Sequence, residues 1–166
     1  MRFLATCACE RIIIDRVGAH SLIAIMSRID IAITPPPDMT ANQLPPNAIA
    51  PKEWFVFSMW EPEGGDFGKE FEQVIEVFWP NEEKILSGRL KLKPEANGGN
   101  QLASYSISGF PVGQQGRVKV LTWLEQQGRR VTEPFPYYIS VNYVSGEHHP
   151  PGTPHSIISL AIPQQT

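Results

Sequence analysis

Sixteen prolines punctuate this chain of 166 residues, and they constrain its fold more than any other feature. Proline lacks a backbone N–H and has a fixed φ, so helix interiors and central strands exclude it. The apolar residues between the prolines fall in many short runs. Short apolar runs joined by stiff connections rich in proline and glycine read as strands and loops. The expected class is all-β.

The clearest periodic stretch is SLIAIMSRIDIAI. Ile23, Ile25, Ile29, Ile31 and Ile33 share one parity, interrupted only by Ser27, while Leu22, Ala24, Met26, Arg28, Asp30 and Ala32 share the other. Such alternation predicts one long strand with its isoleucine face in the core, and makes Ile23, Ile25, Ile29 and Ile31 the expected spine. The stretch from Phe3 to Ile14, closed by Asp15-Arg16-Val17-Gly18, predicts a first strand in a hairpin with it. Residues 34–52 carry no periodicity and a triple proline, which favours an extended, solvated backbone. A loop of that length inside a domain points to function or poor order.

Beyond the loop, EWFVFSMWEP has large apolar groups on both parities, as a central strand would. FEQVIEVFW places Phe71, Ile75, Val77 and Trp79 on one side. KILSGRLKLK, ASYSISGF, RVKVLTWLEQ and PYYISVNYV alternate in turn, with glycine-rich turns between them. About eight strands at short, regular spacing predict an antiparallel two-sheet sandwich, immunoglobulin-like or C2-like. Residues 1–145 form one expected domain. Residues 146–166 are expected to be a linker rich in proline and histidine, followed by a C-terminal strand.

The opening FLATCACERIIID raises three alternatives: a lipoprotein signal, a Cys-x-Cys metal site, or a first strand. A secretory signal needs roughly 7–15 apolar residues before its cleavage site, and Glu10 and Arg11 arrive too early for that. No stretch approaches the roughly 18 apolar residues of a membrane-spanning helix. A cytoplasmic protein without a membrane partner is therefore expected. Cys7 and Cys9 share a strand face. With no further ligands at metal-site spacing, they read as reduced, buried and unmetallated.

A net charge of −3 and a pI near 5.8 give no global reason to expect nucleic-acid binding. Phosphate-binding and dinucleotide glycine motifs, H-E-x-x-H and G-x-S-x-G are all absent from the sequence.

The strand with Cys9-Glu10, the turn, Ser21-Leu22-Ile23-Ala24-Ile25 and the proline-rich passage resemble a bacterial domain family of unknown function. GRVKVLTWLEQQGRRVTEPFPYYISV resembles the penultimate hairpin and last strand of immunoglobulin-like sandwiches. The resemblance covers residues 3–144 and implies the sandwich fold. It implies no activity, since the family has none established.

Three clusters are candidates for chemistry. Glu147, His148, His149 and His155 carry metal-ligand chemistry, though the proline-rich frame around them favours a solvated linker. Glu61, Glu63, Asp66 and Glu70 supply oxygen ligands, but at no recognised calcium-loop spacing. Arg89, Lys91, Lys93, Arg117 and Lys119, with Trp123 beyond, would form a basic stripe ending in an exposed aromatic if their strands are neighbours. A solvated sheet face is the favoured reading of that stripe.

The expected function is that of a non-enzymatic interaction or accessory module without a cofactor, pairing with a protein partner or itself through edge strands. Ile158, Leu160 and Ile162 mark the candidate assembly strand, for which exchange with a neighbour is favoured over pairing at home. The alternatives are a metal-dependent enzyme built on the histidine-rich stretch and a weak nucleic-acid binder built on the basic face.

Overall fold

The computed structural model describes residues 1–34, 44–96, 98–145 and 156–161. Every regular element there is a strand: β1 (Arg2–Ile14), β2 (His20–Ile25), β3 (Arg28–Thr34), β4 (Ile49–Glu61), β5 (Phe71–Phe78), β6 (Lys84–Leu92), β7 (Gln101–Pro111), β8 (Gly116–Gln126), β9 (Arg129–Arg130), β10 (Phe135–Ser145) and β11 (Ser156–Ala161). One sheet has the order β2-β1-β4-β7, and its pairs are antiparallel. The other follows β11-β3-β10-β8-β5-β6, with β9 against β8. This larger sheet curls into a half-barrel. Among the described residues, no helix is long and apolar enough to cross a membrane.

Two expectations need correction. The described strands number eleven rather than about eight, and the fold is not purely antiparallel, because β3 runs parallel to both β10 and β11. One extra strand and the parallel pairing trace to Met26-Ser27; the other two strands are the short β9 and β11, the C-terminal strand expected beyond the linker. The alternating stretch is not one strand but two, β2 in the first sheet and β3 in the second. At the corner, Met26 N–H donates to the Ala8 carbonyl at 2.8 Å, while Ser27 C=O accepts from Ser140 N–H at 2.9 Å.

A strand that changes sheets also changes the side its parity faces. Ile29 and Ile31 are fully buried, but Ile23 and Ile25 are 42% and 58% exposed. Half of the expected isoleucine spine therefore lies outside the core. Met26, on the opposite parity, is buried at the turning point.

The main core draws on both sheets. Ala8, Trp54, Val56 and Ile107 come from the first, and Ile29, Ile31, Ile75, Val77, Val118, Val120, Ile139 and Val141 from the second. A second cluster gathers Trp60, Phe71, Leu92, Ala103 and Leu124, with Phe3 stacked on Phe135 at 3.7 Å beside it. Gln73 is buried on β5, where its Oε1 accepts from Ser58 Oγ at 2.6 Å and from Trp60 Nε1 at 2.7 Å, both on β4. These bonds satisfy two buried donors that would otherwise cost roughly 1–3 kcal/mol each.

On one side the two sheets meet closely. Gly88 of β6 lies under the Tyr105 ring of β7, where a Cβ would stand 2.3 Å from the ring. The end of the proline-rich segment docks as tightly: a Cβ on Gly113 would stand 2.4 Å from the Pro45 carbonyl oxygen. β4 itself begins at Ile49, within the stretch expected to be loop.

Ile29→Ala should cost about 2–5 kcal/mol in urea unfolding, the range for emptying a buried aliphatic site. Ile23→Ala should cost about 0.5 kcal/mol or less, as surface positions do. Equal losses at the two positions would contradict the corner.

Candidate functional site

The basic stripe does not form as drawn from the sequence. β6 and β8 are not neighbours, because β5 runs between them, and β5 contributes acids. Arg89 lies between Glu72 and Glu125, at 2.8 Å from each. Lys84 pairs with Glu76, and Lys119 with Glu82. Arg117 stacks over Tyr138 at 4.1 Å. Lys91 and Lys93 are exposed.

Trp123 is only 5% exposed, which corrects the expected open aromatic. Its Nε1 donates to Glu125 at 3.0 Å, and Arg130 covers its ring at 4.8 Å. The hydrogen bond from Trp123, then that from Arg89, hold the Glu125 carboxyl below its ordinary range. Acidic side chains on and beside the neighbouring strands thus break up the basic pattern at Lys84, Arg89 and Lys119.

The four acids near residue 65 also fail to converge. Glu61 pairs with Arg2. The Asp66 carboxylate instead accepts from Glu63 N–H at 2.9 Å, as a turn residue does. Among the described residues, no group of three or more histidine, cysteine or acidic side chains is placed to hold a metal. Glu147, His148, His149 and His155 lie outside the described residues, as does Ile162. Ile158 and Leu160 lie in β11, opposite Ile31 and Ile33 of the same chain. Within the single chain this strand pairs with β3.

Cys7 and Cys9 are free thiols opposite Phe57 and Phe55. Cys9 is fully buried and Cys7 half-buried. Burial, and then the neighbouring Cys7, push the Cys9 thiol up to about 11. Both cysteines lie on the opposite parity from the core residue Ala8, so something must cover that outer face.

The β1–β2 hairpin bends back towards that face. Phe57 pairs with Cys7, and His20 pairs with Ile14 seven residues further along β1. Seven residues of straight strand span about 23 Å. Yet the His20 and Phe57 rings are 6.1 Å apart. The bend falls where the Glu10–Ala24 pair is missing from an otherwise unshifted ladder, and Ala24 has a φ of 52°.

The bend opens a fork that the sequence did not reveal. β1 and β4 stay paired only as far as Cys9 and Phe55. Beyond that point a cleft of about 410 Å³ opens, lined by Glu10, Arg11, Ile12, Ile13, Lys52, Glu53 and Phe55. Lys52 donates to Glu10 at 2.8 Å and Ser106 donates to Glu53 at 2.8 Å. Searches against protein families and curated proteins find no match to this chain.

Native protein at pH 8 should be alkylated by iodoacetamide at Cys7 well before Cys9, and at both in urea, as read by mass spectrometry. The raised Cys9 thiol also sets a pH dependence. Its contribution to stability is fully present below the unfolded value of 9.0 and is lost as pH rises through about 11. Cys9→Ala should remove part of the fall in urea midpoint between pH 8 and pH 11.

Proposed function

We propose that this protein is a non-enzymatic interaction or accessory module of immunoglobulin-like sandwich type, working through pairing at a sheet edge. The shared core between the two sheets supports the sandwich description. Two free thiols support a cytoplasmic location.

The observation that carries the functional reading is the attachment of β11. It occupies the edge of the larger sheet and pairs with β3 alone. Its sequence, SIISLA, has neither charge nor proline, the devices that normally protect a strand from foreign pairing. Residues 146–155 connect it to β10. From Ser145, opposite Ile33, the chain must reach Ser156, opposite Ile29, across one intervening strand. That path is about 16 Å, while ten extended residues reach about 33 Å. The connection has length to spare, so β11 can reach the β3 edge of a neighbouring molecule as well as its own. Departure of β11 would in turn leave β3 open to a partner's strand.

Light scattering of the full chain against a chain ending at Ser145 tests this. The full chain should show concentration-dependent assembly, and the shortened one should remain monomeric. Two monomers of equal stability would remove the tail from any role in assembly.

A further inference from the structure

We propose that the fork between β1 and β4 is a strand-acceptor site for an extended segment of a partner protein in which acidic and apolar residues alternate. The inference goes beyond the tail, because the fork and β11 belong to different sheets.

The backbone supplies the first reason. Asp15 N–H donates to the Ala19 carbonyl, so Asp15 is hydrogen-bonded towards the β2 side. Peptide groups alternate along a strand. With Ile13 opposite Ser21 and Arg11 opposite Ile23, the peptide groups of Arg11 and Ile13 also face β2. Those of Ile12 and Ile14 then face the other way, towards the fork, where β4 no longer pairs with them. A short length of open strand edge therefore borders the cleft.

The side chains supply the second reason, and they select the occupant. Glu10 is held by Lys52, and Glu53 accepts from the Ser106 hydroxyl. Arg11 is exposed and has no ion-pair partner among the described residues. Ile12, Ile13 and Phe55 provide apolar wall. A strand added to the free edge presents alternate residues to opposite faces. An acid placed against Arg11 on the β1 side, away from the Glu53 carboxylate on the β4 side, gains an ion pair, and apolar residues on the other face meet Ile12. The main chain gives affinity and the alternating side chains give selectivity, as in other strand-addition sites.

Fluorescence anisotropy of the full chain with a short, end-capped, labelled peptide alternating aspartate and valine tests the proposal. Saturable binding is expected, weakened at least about tenfold by Arg11→Glu and by exchanging the aspartates for lysines. N-methylation of alternate peptide nitrogens should abolish binding, and this control leaves the protein unaltered. Absence of saturable binding, equal binding of the lysine peptide, or indifference to N-methylation would each overturn the assignment. None of these outcomes depends on β11, so they separate the fork from the role proposed for the tail.

Discussion

Two backbone hydrogen bonds at a corner hold this architecture together. Met26 bonds to β1 of the first sheet and Ser27 to β10 of the second, so adjacent residues are anchored in different layers. Everything on that side of the molecule follows from this. β2 is left at the edge of one sheet, and β3 becomes an inner strand of the other, flanked by β10 and β11. The parallel pairings arise because β3 continues out of β2 without a reversal, whereas β10 is already set antiparallel to β8.

That corner also explains where sequence reading succeeds and fails. Alternation identifies inward residues well wherever a strand stays in one sheet. Phe71, Ile75, Val77 and Trp79 are buried as their spacing implies, as are Val118, Val120, Thr122 and Leu124. The rule fails at Ile23 and Ile25 because period two reports parity alone and carries no information about a change of sheet. The polar interruption at Ser27 was the only local sign of it. Trp123 misled for another reason: a side chain on the outward parity was covered by Arg130, a long residue on the short strand β9. Leu44 and Ala48 pack against the core from a stretch whose prolines suggested only solvated loop.

Functional residues were harder to read than the fold because they depend on non-local neighbours. Arg89 and Lys119 form part of a basic pattern in the linear chain. In the sheet, β5 brings Glu72 beside Arg89, and the turn before β6 brings Glu82 to Lys119. The fork is invisible in sequence for the same reason. It exists because two strands separate after Cys9 and Phe55, residues 46 positions apart in the chain. The free edge of β11 was partly legible, since a neutral apolar segment after a long tether is a local property.

The buried Gln73 has a mechanical consequence. Apolar contacts between the two layers are non-directional, so on their own they would tolerate a small sliding displacement of one sheet over the other. The Gln73 amide oxygen does not. It receives Ser58 and Trp60 from the opposite sheet at 2.6 and 2.7 Å, distances that a slip of even one ångström would break inside a region without solvent. The amide thus acts as a detent against shear, fixing the alignment of the two layers midway between the two apolar clusters. Edge strands can then be gained or lost at the periphery while the centre keeps its alignment.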